Sequence, residues 1–157
     1  MLEIVQPSFE LPDTGIKILA TGRANQSLAR NDFWVYRQMI DSTFVKSRWQ
    51  KHAALYLQRF YNDIEAGKRP KLVLQAPPQH GKSRMVTDFI TWAAGKNPDL
   101  STIFASYSDE LGTTANLRFQ RILELPVYRK IWWNTHLAGN DDEGRWQRNT
   151  SVCEYGD

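Results

Sequence analysis

Apolar positions along the chain change their period more than once, and each change marks an element. Trp49, Ala53, Tyr56, Leu57, Phe60 and Ile64 recur at i, i+4, i+7 and i+8, one face of an α-helix. Gly67 then stands where a helix C-terminus takes a residue at positive φ, and Pro70 blocks continuation. Upstream, Phe33, Tyr36 and Ile40 fit a shorter amphipathic helix with Asn31 as its cap. Residues 1 to 26, with Pro7, Pro12, Gly15 and Gly22, have no clear period and read as an irregular lead-in. The division is therefore a lead-in over 1–30 and one domain over 31–157.

Beyond Pro70 the period shortens. Leu72, Val73 and Leu74, flanked by breakers, read as a buried strand, and Pro77, Pro78 and Gly81 make a loop after it. A helix is expected from about Lys82 to Ala94, with Met85, Phe89, Ile90 and Ala93 inward and with Gly95 and Pro98 ending it. Thr102 to Ser106 reads as a second strand. Ser108 caps a third long helix that carries Asp109 and Glu110 in its first turn and buries Leu111, Ala115, Phe119 and Ile122. Pro126 opens a short helix over Val127 to Trp133, and Thr150 to Tyr155 reads as a strand beginning. Strand, helix, strand, helix predicts an α/β fold, a P-loop NTPase-type parallel sheet (incomplete) with an N-terminal helical extension.

Composition narrows the class. At 157 residues, 41% apolar and 24% charged, the chain has the make-up of one soluble globular domain. No apolar run approaches the roughly 20 residues that span a bilayer, and Met1 to Asp13 has three acidic and no basic residues, unlike a signal peptide. One cysteine, Cys153, excludes an internal disulfide framework and a cysteine zinc cluster, which fits a reducing cytosolic setting. A net charge of +3 is compatible with a nucleic-acid partner without demanding one. Lys46, Arg48 and Lys51 form the densest basic group and read as a solvated helix entry.

The chemistry sits between the first expected strand and its helix. Ala76-Pro77-Pro78-Gln79-His80-Gly81-Lys82-Ser83 fits the phosphate-loop pattern, with alanine at the first glycine position. Backbone N–H groups and a helix N-terminus offer an anion site, and a glycine at 81 lets the backbone approach the phosphate. Lys82 reaches the β- and γ-oxygens of ATP, and the Ser83 hydroxyl is a ligand for Mg²⁺. The usual acidic partner at the end of a neighbouring strand has one candidate, Asp109-Glu110, which also makes sense as a first helical turn. Asp141-Asp142-Glu143 lies between glycines with no apolar strand before it and reads as a solvated loop.

These residues carry a resemblance. The run "LVLQAPPQHGKS", Leu72 to Ser83, resembles the ATPase centre of the terminase large subunit of tailed bacteriophages. "NPDLSTIFASYSDEL", Asn97 to Leu111, is similar to that family's next strand and helix. "VYRKIWWNTHLAGND" with "GRWQ", Val127 to Gln147, is similar to its later aromatic-rich stretch, and Arg48 to Leu72 to its lead-in helix. The likeness covers about residues 30 to 157 in order. It implies an ATP- and Mg²⁺-dependent motor that packages double-stranded DNA through a portal, working with a small terminase subunit. It also implies a host-cytoplasmic location and, in the intact motor, scope for a homo-oligomer. Gln50 maps onto the glutamine that helps recognise adenine in that family; an exposed polar helix residue explains it equally well. His80 shapes the loop, and Ser106 to Ser108 either sense nucleotide or simply cap a helix.

Two departures from the family are visible. An arginine often found in the phosphate loop is replaced here by Pro78-Gln79-His80, and Arg84, along the helix, is a poor substitute. The family's acidic Mg²⁺ site, catalytic glutamate and nuclease domain should all follow Asp157, so the resemblance implies the first part of a large terminase, binding ATP but hydrolysing it weakly. Two other readings stay open, a small phosphotransferase or helicase-like ATPase and a non-catalytic piece that holds a terminase partner.

Overall fold

The computed structural model describes residues 22–41, 43–44, 46–137 and 153–155, the last three as backbone. Six helices follow in order, α1 (Arg23–Asn31), α2 (Phe33–Ile40), α3 (Arg48–Glu65), α4 (Lys82–Lys96), α5 (Asp109–Glu124) and α6 (Pro126–Ile131). The strands among the described residues are β1 (Thr135–Leu137) and β2 (Cys153–Tyr155), paired antiparallel with His136 opposite Glu154.

The expected parallel sheet is therefore corrected: the described chain is helical, and neither Leu72–Leu74 nor Thr102–Ser106 is a strand. Both segments run without regular structure, and none of their backbone groups bonds to another backbone group among the described residues. A strand is stabilised by its neighbour, and a three-residue apolar run fixes neither the neighbour nor the period. Val73 is 80% and Ile103 94% exposed, so these apolar residues are not the buried strands that the pattern suggested.

Local chemistry sets the helix ends. Asp32, rather than Asn31, caps α2 by accepting from the Val35 amide at 3.0 Å. Helix α1 lies partly within the stretch read as irregular, and its Asp32 amide closes onto Leu28. Ser47 and Ser108 cap α3 and α5 through their hydroxyls, Gly67 takes φ 73°, and Pro126 is the first residue of α6. Replacing Ser108 by Ala should cost about 1 kcal/mol. A urea-unfolding midpoint unchanged by S108A would mean that this cap contributes nothing.

Helix α4 is the centre of the fold. Met85, Asp88, Phe89, Thr91, Trp92, Ala93 and Gly95 are all buried, so it is covered on most sides rather than along one stripe. Trp92 stacks edge-on to Tyr61 of α3 at 5.0 Å and donates through Nε1 to the Ala29 carbonyl of α1 at 2.9 Å. The Tyr36 hydroxyl of α2 meets Thr91 Oγ1 at 2.8 Å, and Tyr128 of α6 donates to the Thr91 carbonyl at 3.2 Å. The helix also runs through Gly95 to Lys96, past the end predicted from that glycine. Gly95 is there because the Trp132 indole lies where a side chain would go.

Two buried faces differ from their expected registers. In α3 the buried set is Ala53, Ala54, Leu57 and Tyr61, while Tyr56 is 48% exposed; the aromatic pairing of Tyr61 with Trp92 turns the face. In α5 only Ile122 and Leu123 are buried, and Leu111 is exposed. Ala115 and Phe119 instead line a cavity of about 680 Å³ shared with Ile90, Ala94, Leu100 and Phe104. Asp141 to Glu143 lie outside the described residues.

Candidate functional site

The loop at 76–83 enters α4 through two left-handed residues. Gly81, the N-cap of α4, has φ 74° and ψ 22°, and Gln79 has φ 62°, the one positive φ outside glycine among the described residues. Left-handed backbone costs most residues roughly 1–2 kcal/mol, so the loop is held in a conformation that its surroundings must stabilise. The turn brings consecutive amides to the helix start. The N–H groups of Gly81, Lys82, Ser83 and Arg84 have no acceptor among the described residues, and the first helical bond is Met85 N–H to the Gly81 carbonyl at 2.9 Å. Unpaired amides at a helix start are the donor set that anions use.

Lys82 folds back over this loop. Its Nζ donates to the carbonyl of Ala76 and to that of Pro77, the latter at 3.1 Å, so the ammonium sits inside the turn. His80 Nδ1 lies 2.8 Å from the Pro78 carbonyl, which makes it a loop-shaping residue. Ser83 is exposed and gives its carbonyl to Thr87 Oγ1 at 3.0 Å, leaving the hydroxyl to solvent.

Helix α3 closes one side, and this is where distant residues meet. Trp49 packs edge-on to the His80 ring, with centroids 6.4 Å apart. Gln50 lies beside Gly81, its Nε2 3.6 Å from where a Cβ on that glycine would stand. Its Oε1 is buried with no hydrogen-bond partner among the described residues, an uncommon state for a carbonyl of this kind. All the residues singled out at 76–83, together with Gln50, thus form one locus. Asp109 and Glu110 do not join it as a bonded pair; they are exposed in the first turn of α5, with Asp109 on the rim of the cavity.

Arg84 does more than point along the helix. Its guanidinium bonds to the Asp41 carboxylate at the end of α2 and so ties that end to the first turn of α4. Burial pushes the Asp41 carboxyl up, but the Thr43 hydroxyl and amide, with Arg84 nearby, outweigh it and hold its pKa below the ordinary value. No local pattern announces this contact, which joins residues 43 positions apart. Among the described residues no group of three or more His, Cys, Asp and Glu side chains is placed to hold a metal ion.

No protein-family model matches the chain, and no curated protein and no solved structure matches it. No helix among the described residues is long and apolar enough to cross a membrane.

Proposed function

We propose that the chain is the ATP-binding part of a DNA-packaging motor of the terminase large-subunit type, with residues 76–83 as its phosphate loop. The observation that carries the reading is the Lys82 ammonium folded into a turn whose left-handed Gln79 and Gly81 expose four amides at the start of α4. A positive charge and converging N–H donors suit a polyphosphate. The residues fit ATP in two further respects. Gly81 carries no side chain at the end of the loop, with the Gln50 amide beside it, and the orphaned Gln50 Oε1 is an acceptor for an exocyclic amine. For Mg²⁺ the chain offers the Ser83 hydroxyl, with the phosphates and water completing the shell. When bound, the cation neutralises charge on the β- and γ-oxygens. The link to terminases rests on the likeness of Leu72 to Ser83 and the segments after it.

Lys82→Ala should weaken binding of an ATP analogue in the presence of Mg²⁺ by roughly 10- to 100-fold, the worth of about 1.5–3 kcal/mol for a charged hydrogen bond. Its unfolding midpoint should fall only modestly, by the worth of the two partly exposed contacts of Nζ with the Ala76 and Pro77 carbonyls. Equal binding by both proteins would sink the reading. No binding by either, from folded protein, would favour a second one, a non-catalytic piece that holds a protein partner. That alternative draws on the exposed apolar side chains of Val73, Ile103 and Tyr107.

A further inference from the structure

The positive charge of the chain is concentrated. Residues 46–71 hold seven lysines and arginines against two carboxylates, a net of +5, whereas the whole chain carries 20 against 17, a net of +3. Everything outside this stretch is therefore net negative.

The structure decides which of these charges are available. Both carboxylates of the stretch are engaged, Asp63 by Lys68 at 2.7 Å and Glu65 by Lys96 at 3.7 Å. Lys46, Arg48, Lys51, Arg59, Arg69 and Lys71 make no ion pair among the described residues. Several cations in the rest of the fold are consumed internally: Arg37 and Arg118 by Asp88, and Arg84 by Asp41. Geometry then orders the free ones. Arg48, His52, Leu55, Tyr56 and Arg59 follow i, i+4, i+7, i+8 and i+11, and all are exposed, so they share the outer face of α3. Arg48 and Arg59 stand about 16 Å apart along the axis at 1.5 Å per residue. Past the helix end Arg69 and Lys71, also exposed, add two more cations, while Lys68 is taken up by Asp63.

We propose that the outer face of α3, with Arg69 and Lys71 past its end, is a docking surface for the phosphate backbone of duplex DNA. The exposed Arg48, Arg59, Arg69 and Lys71, without ion pairs among the described residues, suit a polyanion, and its binding is read without base contacts. Leu55 and Tyr56, 40% and 48% exposed, are too few and too shallow for insertion into a bilayer, which distinguishes this face from a membrane-binding helix. Gln50 stands on the opposite side of α3, beside Gly81, so bound DNA would lie about one helix diameter from that glycine. The inference takes up the DNA partner of the proposed function but rests on the charge distribution alone.

The test is fluorescence anisotropy of the full chain with a labelled 20-base-pair duplex of arbitrary sequence, across a salt series. Arg48→Glu with Arg59→Glu should weaken binding at least tenfold and lower the slope of log K against log salt by about 2. Arg121→Glu with Arg129→Glu makes the same charge change at exposed positions on α5 and α6 and should cost less than threefold. Arg48→Gln with Arg59→Gln, which adds no repulsion towards Asp63, should give a smaller loss in the same direction, and thermal melts check that each variant is folded. Equal losses in the two charge-reversal pairs would overturn the proposal, as would absence of duplex binding by the parent. So would preferential binding to phosphatidylserine vesicles. Lys82→Ala should bind the duplex like the parent and the α3 variants should bind the ATP analogue like the parent, so the two readings fail separately.

Discussion

Replacing Asp88 by Ala should destabilise the fold by roughly 3–5 kcal/mol, the cost of leaving a buried charge without its partner. Asp88 is 1% exposed, in the second turn of α4, and holds two arginines from different helices. Its Oδ2 accepts from Arg37 Nε of α2 at 3.1 Å and its Oδ1 from Arg118 Nη2 of α5 at 2.6 Å. Arg37 is itself 1% exposed, and burial pushes its pKa below the ordinary guanidinium value while Asp88 opposes the shift. The Phe44 ring lies 4.4 Å from the Arg37 guanidinium carbon and has no carboxylate's charge to offer in place of Asp88. Arg37 Nη1 already lacks a hydrogen-bond partner among the described residues, so losing Asp88 would strand most of the group.

The measurement is the urea midpoint of Asp88→Ala against the parent, with Arg37→Met and the double variant completing a cycle. The double variant should recover a substantial part of the loss, because no uncompensated charge is left behind. A single-variant loss under about 1 kcal/mol would mean that water already serves Arg37. With domain stabilities of about 5–15 kcal/mol, the expected loss is a large share of the total. The consequence reaches the candidate site, since Asp88 stands one turn beyond Arg84 on the helix that begins at Gly81 and Lys82.

Where the governing interaction is local, the residues announce it. Gly67 takes the positive φ that its position suggests, Ser108 caps α5, Pro126 starts α6, and the 76–83 loop delivers Lys82 to a helix start. These features depend on neighbours a few residues away, within reach of reading by spacing. Strand formation at 72–74 and 102–106 depends on partners elsewhere in the chain, and three or four apolar residues between breakers do not identify them. The Asp88 cluster is equally hidden, with partners 51 and 30 positions away and an aspartate that reads as an ordinary polar helix residue. The nearness of Gln50 to Gly81 is hidden as well, because it joins different elements that no local spacing relates.

Gly95 shows how a local rule is overturned by tertiary packing, and the sign of a substitution there tests the fold directly. Inside an exposed helix Gly→Ala stabilises by roughly 0.5–1 kcal/mol, because alanine loses less backbone freedom on folding. At Gly95 a Cβ would stand 2.5 Å from two atoms of the Trp132 indole, Cε2 and Nε1, and 2.6 Å from a third. The indole is a rigid ring and is 8% exposed, so it has little room to withdraw. Gly95→Ala should therefore destabilise by about 1–3 kcal/mol, the usual cost of overpacking, after absorbing the helix-propensity gain. Because Trp132 follows α6 directly, the strain should appear as a changed tryptophan emission and as weaker docking of α6 on α1, where Arg30 Nε donates to the Ile131 carbonyl at 2.6 Å. Trp132→Leu in the Gly95→Ala background removes the clash and should make the alanine neutral or favourable relative to glycine. A stabilised Gly95→Ala single variant would place Trp132 elsewhere and leave Gly95 an ordinary exposed position of the helix.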